Sequence, residues 1–319
     1  MTVSRRVQPT GGTTPSLDDF AARDPAMARC LDLARVAART DLPVLILGES
    51  GSGKTLLASA IHHSSKRHAA PFISFNAAAL SETLLESQLF GHEKGAFTGA
   101  DRRVKGKFEL AHQGTLFLDE IADMSLAAQA KILRAVEYGE YERLGSETLE
   151  VADVRLVSAT HHSLARFMEG DQFRRDLFYR ISGITITIPP LRARPLDLRA
   201  LVGHEIQMAS REQGKAIRGL TQPAAQQLFA YSWPGNLREL KRVVQVAVAL
   251  TEGDLVPPEA VLIESAPATA TTADNGDPSL AAAERRHIER VMQMAGGNKR
   301  KAARLLKISR STLDRKLEG

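Results

Sequence analysis

The chain has a single cysteine, Cys30, so no disulfide can form within it, and a lone thiol apart from any histidine–asparagine constellation reads as a packed side chain. No apolar run approaches the roughly 20 residues that cross a bilayer. The opening stretch, Met1 to Gly12, is polar and basic and lacks the apolar core of a secretory signal, so a cytoplasmic location is expected. Internal repeats are absent as well. What is there is an ordinary globular composition of 319 residues, 43% hydrophobic and 25% charged, enough for two or three domains. The net charge of +5 is unevenly placed: Leu280–Gly319 carries eleven basic and four acidic residues, a balance of +7 that leaves −2 on the rest. A basic tail on a near-neutral body points to an anionic partner for the tail alone.

Five short runs read as buried strands: Val44–Leu47, Phe72–Phe75, Leu116–Leu118, Val154–Ser158 and Ile184–Ile188. Segments with helical spacing, such as Leu56–His63 and Gln129–Glu137, lie between them. Continuous apolar strands alternating with helices predict a parallel sheet covered on both faces. Pro189-Pro190 ends the sheet layer, and from Leu196 to about Ile263 the pattern is helical throughout, a small all-α subdomain. Residues 264–279 are rich in Ala, Thr, Pro, Asp and Gly, with almost nothing to bury, and read as a flexible linker. The domain plan is therefore a short extension over 1–16, an α/β subdomain over 17–190, an α-helical subdomain over 191–263, the linker, and an all-α module over 280–319.

Gly48-Glu49-Ser50-Gly51-Ser52-Gly53-Lys54-Thr55 fits G-x-x-x-x-G-K-[ST] directly after a predicted strand and before a helix, the context a phosphate-binding loop needs. Glycines let backbone N–H groups converge on phosphate, and the helix N-terminus adds partial positive charge. In that loop Lys54 would neutralise the outer phosphates and Thr55 would hold Mg²⁺. Downstream, Thr115–Leu118 leads into Asp119-Glu120. Adjacent carboxylates leaving a strand can divide the labour, Asp119 on the metal and Glu120 polarising the attacking water. A third element is Gly95-Ala96-Phe97-Thr98-Gly99-Ala100, preceded by Leu89-Phe90-Gly91-His92-Glu93-Lys94. Its glycines bracket a tip where Phe97 has no periodic apolar companions, so the ring is expected to be presented rather than packed.

On these motifs the chain resembles the bacterial enhancer-binding proteins, the AAA+ activators of sigma-54 RNA polymerase, from about Leu17 to about Ile263 and again over Leu280–Gly319. The resemblance implies an AAA+ P-loop ATPase, a parallel five-stranded sheet between helices with an α-helical lid and a C-terminal helix-turn-helix. ATP and Mg²⁺ would be its cofactors. It implies a hexameric homo-oligomer that binds enhancer DNA and spends ATP to open sigma-54 polymerase complexes. The loop Gly95–Ala100 would be its mobile contact with sigma-54. Residue by residue, Asn76 resembles the switch that holds Glu120 away from water, and Arg174 and Arg180 resemble arginine fingers reaching a neighbouring subunit's γ-phosphate. Arg238, in Trp233-Pro234-Gly235-Asn236-Leu237-Arg238, resembles the lid arginine that senses nucleotide in cis; Arg143 lies where the family has a second pore-side loop.

Three departures stand out. Thr55 replaces the family's Glu and follows the general P-loop rule. Thr160-His161 stands where the resemblance leads one to expect Thr-Asn, so the sensor offers an imidazole in place of a fixed amide. About sixteen residues precede Leu17, with no receiver domain among them: if the natural chain begins here, control falls to expression level or to a separate protein acting in trans, and if it has been trimmed, the controlling part has been cut away.

In the tail, Leu280–Met292 has one apolar stripe, Gly296-Gly297 stops that helix, Asn298 caps Lys299–Leu306, and Ser309 caps a third helix anchored by Leu313 and Leu317. This resembles a Fis-type helix-turn-helix, with Asn298, Lys299, Arg300, Arg310, Ser311, Thr312, Arg315 and Lys316 as candidate DNA contacts and Asp314 as a departure. Two other readings stay open at this stage. One is a regulator of ordinary promoters that only binds ATP, and the other is an AAA+ remodeller of another client.

Overall fold

The structure is a computed structural model that describes residues 16–20, 22–78, 81–263, 284, 288, 291–292, 298–306 and 308–318. The extension expected over 1–16, apart from Ser16, and the linker over 264–279 lie outside the described residues. Two compact units divide after Ile263.

The first unit opens with α1 (Pro25–Ala38) and β1 (Val44–Leu47), followed by α2 (Lys54–His63), β2 (Phe72–Asn76) and α3 (Glu82–Phe90). Two short strands, β3 (Gly91–His92) and β4 (Val104–Lys105), flank the Gly95–Ala100 loop, and α4 (Lys107–Leu110) and β5 (Thr115–Asp119) follow. Next come α5 (Leu126–Tyr138), the hairpin β6 (Glu140–Glu142) and β7 (Leu149–Val151), then β8 (Arg155–Thr160), α6 (Leu164–Glu169), α7 (Arg175–Ile181) and β9 (Ile184–Thr187). The main sheet is parallel, in the order β2-β5-β8-β1-β9. Side chains alternate between its faces as strand geometry demands. Leu116 and Leu118 of β5 join Leu45 and Leu156 in one core, while Phe117 joins Val44, Ile46, Val157 and Ala159 in another on the opposite face. Burial on both faces is why the central strands β1 and β5 carry consecutive apolar residues, whereas the edge strands β2 and β9 alternate with exposed Ser74 and Thr185.

The lid comprises α8 (Pro195–Glu212), α9 (Gln222–Ala230) and α10 (Asn236–Leu250) around a third core centred on the fully buried Trp233. The indole Nε1 donates to the Leu228 carbonyl at 3.0 Å, so the buried ring leaves no orphaned donor. Helix throughout was the expectation here. The lid instead contains a two-residue parallel pair, β10 (Gly219–Leu220) with β11 (Leu255–Val256), too short to leave a period in the sequence. Cys30 is buried in α1 and burial pushes its thiol up to about 11, which makes it a packing residue.

In the second unit, Ile288, Val291, Ala302, Ala303 and Leu313 form a small core. Alanines at 302 and 303 allow the close helix crossing that a helix-turn-helix needs. The Asn298 carboxamide accepts from the Arg300 N–H at 3.1 Å and the Ser309 hydroxyl from the Thr312 N–H at 3.1 Å, so both expected caps form. Leu280, Gly296-Gly297 and the Leu317 side chain lie outside the described residues.

The end of α2 carries a pH-dependent cost. His62 is 1% exposed and its Nδ1 lies 2.9 Å from the Thr115 hydroxyl. Burial depresses its pKa to about 4. The unfolded imidazole titrates near 6.5, so between about pH 6.5 and 4 the unfolded chain binds the extra proton and stability falls as pH falls. Roughly 3 kcal/mol is at stake, and nothing above pH ~7. Denaturant unfolding at pH 7.5 and 5.0 is expected to show a smaller loss of stability for His62→Gln than for the parent chain; equal losses would remove His62 as the cause.

Candidate functional site

In a parallel sheet, ligands sit beyond the C-terminal strand ends. Here β1 runs into the glycine loop, and Asn76 pairs in register with Asp119 on the neighbouring strand. Leu47 pairs with Thr160, which ends β8. These ends open into a cleft of about 690 Å³. The P-loop supplies Gly51, Gly53, Lys54 and Thr55, the strand ends supply Asn76, Asp119, Glu120 and His161, and the lid supplies Arg238. Apolar Phe20, Leu201 and Leu237 line it too, so the cleft pairs a polar, cationic region with apolar side chains. Gly51 has φ +73, and a Cβ there would lie 2.3 Å from the Gly235 carbonyl oxygen, so glycine is required where loop and lid turn meet.

Lys54 is 6% exposed and donates to the Gly48 carbonyl at 2.9 Å; its Nζ is also 3.6 Å from Glu120 Oε1. Glu120 has φ 54, left-handed backbone that is strained for a residue with a Cβ and is typical of functional positions. Its Oε2 accepts from the His161 backbone N–H at 3.1 Å and from His161 Nδ1 at 2.8 Å. Burial works against the charged carboxylate, but the two His161 bonds and the Lys54 charge outweigh it and hold Glu120 below its usual range. Asp119 moves the other way: burial, then the neighbouring Glu120 charge, push its carboxyl up. The Asp119 carboxylate and the Thr55 hydroxyl are hard oxygen donors lining one cleft, the donor type Mg²⁺ prefers. A divalent cation would also relieve the repulsion between Asp119 and Glu120.

Other candidate residues rest on partners of their own. Asn76 makes no bond to Glu120; its carboxamide accepts from the Ala78 N–H at 2.8 Å, and His161 holds the glutamate instead. The Glu49 side chain turns away from the cleft: Arg192 grips it with two bonds of 2.8 and 2.6 Å, and Asn236 adds one of 3.1 Å. Asn236 also accepts from the Leu191 N–H at 2.8 Å, and Arg238 donates to the Ser50 hydroxyl at 3.0 Å, so the lid is latched to the P-loop through side chains. Arg174 is engaged by Asp176 at 2.6 Å, and Arg180 donates to the Val136 and Glu137 carbonyls, each at 3.2 Å. Phe97 is half-buried and meets the His92 ring edge-on at 4.9 Å, so it is folded down onto its own loop base.

That loop base is well tied. Gly95 and Gly99 have φ +84 and +97 with open space around them, and the Gly95 N–H donates to the Ala100 carbonyl at 2.8 Å. The Leu144 N–H donates to the Gly91 carbonyl and the Glu93 N–H to the Leu144 carbonyl, both at 3.0 Å. Arg143, 7% exposed, joins Glu93, Glu109 and Glu150 at 3.2, 3.1 and 2.8 Å, fastening the β6–β7 hairpin beneath the loop. In the tail, Lys299 pairs with Asp314 at 2.8 Å and Lys316 with Glu284 at 2.5 Å, so these candidate DNA contacts and the anomalous carboxylate are already engaged. Asn298, Arg300 and Arg315 are exposed and Thr312 is half-buried; the side chains of Arg310 and Ser311 lie outside the described residues.

Fold and site together define a P-loop ATPase of the AAA+ class with a helical lid and a helix-turn-helix. Three known families match in succession: residues 20–187 the sigma-54 interaction domain, 192–277 the AAA+ ATPase lid domain, and 279–318 the bacterial regulatory protein Fis family. The chain is 43% identical over 310 residues to the transcriptional regulatory protein ZraR of Escherichia coli K12, covering 97% of this chain and 70% of that one. It is 43% identical over 314 residues to the Nif-specific regulatory protein of Klebsiella pneumoniae, covering 95% and 60%. Among solved structures, NtrX from Brucella abortus in complex with ATP superposes with a TM-score of 0.71 at 33% identity, over 94% of this chain and 69% of that one. The chain belongs to the sigma-54 interaction domain family: it is a sigma-54-dependent transcriptional activator with an ATPase domain and a helix-turn-helix DNA-binding tail. Among the described residues, no helix is long and apolar enough to cross a membrane.

Proposed function

We propose that the chain works in the cytoplasm as a homo-oligomeric ring, hexameric when active, that binds enhancer DNA and uses ATP hydrolysis to convert closed sigma-54 polymerase complexes to open ones. The observation that carries this reading is the short path from cleft to loop. Asn76 and Ala78 line the cleft, and α3 runs from Glu82 to the base of the Gly95–Ala100 loop. A displacement at the β2 end is delivered to the loop by a rigid helix. Phe97, held by one ring contact between two unobstructed glycines, is cheap to raise.

In this reading the P-loop backbone from Gly48 to Gly53 cradles the phosphates and Lys54 leaves the Gly48 carbonyl to neutralise the outer ones. Thr55 and Asp119 would hold Mg²⁺, which would supply charge neutralisation at the phosphates. Glu120 polarises the attacking water, Thr160 and His161 sense the γ-phosphate end, and Arg238 senses nucleotide from the lid. Arg174 and Arg180 act on the neighbouring subunit's ATP. The raised loop, with Phe97 and Thr98 at its tip, meets sigma-54. Exposed Arg300 and Arg315, with Asn298 and Thr312, face enhancer DNA; a separate protein in trans is a candidate for control.

Thr98 is exposed at the loop tip. Thr98→Ala is therefore expected to keep ATP turnover within about twofold while sigma-54-dependent open complexes disappear, because contact and chemistry sit on different elements. Both are measured on the same preparation, by phosphate release and by permanganate footprinting of the promoter. Undiminished open-complex formation would overturn the assignment of this loop.

A further inference from the structure

The hydrolytic carboxylate is held by two donors of unequal rigidity. The His161 N–H belongs to the chain leaving β8, but the imidazole donor depends on side-chain torsions, and this ring is 39% exposed. The neighbouring residue restricts it. The His162 ring lies over the His161 ring with centroids 3.9 Å apart and planes 38° from parallel. His162 is itself fixed from three sides. Its Nε2 is 3.1 Å from Asp123 Oδ1, its ring centroid is 4.8 Å from that of Phe167, and its backbone N–H donates to the Thr160 hydroxyl at 3.1 Å. Phe167 packs in turn against the core beneath the sheet. Asp123 lies three residues beyond Glu120, in the single turn Ile121–Asp123 that leaves β5. Two cross-links thus span the same two segments: Glu120 to His161, and Asp123 to His162, with the two imidazoles in tilted contact between them.

We propose that His162 is a positioning residue for ATP hydrolysis, holding the His161 imidazole against Glu120 Oε2 so that Oε1 faces the cleft. The proposal rests on the reading of Glu120 as the group that polarises water. Only one carboxylate oxygen can take the proton. With Oε2 clamped, that role falls to Oε1, which the Lys54 ammonium now attends from 3.6 Å. Once Lys54 turns to phosphate, Oε1 is free while Oε2 remains tethered. Without His162 the ring of His161 gains a rotational path, and the carboxylate loses its second anchor. Misplacing a reacting group by about 1 Å is enough to cost up to about 10²-fold in rate.

The test is steady-state ATP hydrolysis by the full chain carrying His162→Ala, His162→Phe, His161→Asn, the double substitution His161→Asn/His162→Ala, or Glu120→Gln. His162→Ala is expected to lower kcat about tenfold with KM for ATP unchanged. His162→Phe keeps a ring against His161 and Phe167 and is expected to restore most of the rate. In the His161→Asn background, removing His162 is expected to add nothing, because the ring it positions has gone; a purely structural role would add its cost there too. Should His162→Ala not fold, His162→Leu fills the space without an aromatic face and carries the same expectation. Wild-type kcat in the His162 variants beside an inactive Glu120→Gln, or additive losses in the double variant, overturns the proposal. A fully active Glu120→Gln removes the underlying reading instead, so the two failures are told apart.

Discussion

Glu120→Gln is expected to reduce the rate of ATP hydrolysis by about 10²–10⁴ and to leave nucleotide binding in place. The substitution keeps the shape of the side chain and its acceptor oxygen, so the His161 N–H and Nδ1 donors at 3.1 and 2.8 Å still have a partner. What goes is the negative charge that lets a carboxylate draw a proton from water. Two electrostatic consequences favour binding in the variant. Lys54 no longer divides its charge between Glu120, 3.6 Å away, and the incoming phosphates. Asp119, whose carboxyl is pushed up by burial and then by the Glu120 charge, loses its like-charged neighbour and ionises more readily onto a metal. Titration with a fluorescent ATP analogue should therefore give affinity at least equal to wild type while phosphate release stalls. Wild-type turnover would pass the role of base to another group in the cleft.

Much of the architecture was legible because its physics is local. The central strands β1, β5 and β8 are buried on both faces, the edge strands β2 and β9 expose Ser74 and Thr185 on one, and the apolar runs match all five to within one or two residues. The P-loop declares itself because converging backbone N–H groups demand glycine, at Gly51 to the point of collision with the lid. The parts that escaped depend on contacts between distant residues. Glu49 and Arg192 are 143 positions apart, and Asn236 and Glu49 187, so no periodicity links them. The β10–β11 pair is two residues long and leaves no period either. Asn76 is well placed for Glu120 by register, yet its own backbone two residues on offers a cheaper partner, and the imidazole at 161 takes the carboxylate. The missing companions of Phe97 correctly marked a loop; what sequence could not show is that His92, five residues earlier, folds back to cover the ring.

Arg180→Ala is expected to lower ATP turnover by about 10³-fold or more, and the reason lies in where the side chain rests in one chain. Its guanidinium spends two bonds of 3.2 Å on the Val136 and Glu137 carbonyls at the C-terminal end of α5, where the unpaired carbonyls of a helix attract a cation. Arg174 is likewise occupied, by Asp176 at 2.6 Å. Neither residue lines the cleft of its own chain. An arginine that contributes to γ-phosphate cleavage from there must do so on a neighbour, exchanging its solvent-exposed bonds, to carbonyls for Arg180 and to Asp176 for Arg174, for bonds to phosphate. Two consequences separate this from a structural role. Turnover per chain should rise with protein concentration as neighbours assemble. And subunits with Glu120→Gln mixed with subunits carrying Arg180→Ala should hydrolyse ATP faster than either alone, because some interfaces then pair an intact Glu120 with an intact Arg180. A mixture no more active than its parents would place Arg180 in the fold of its own subunit and take away the case for a ring.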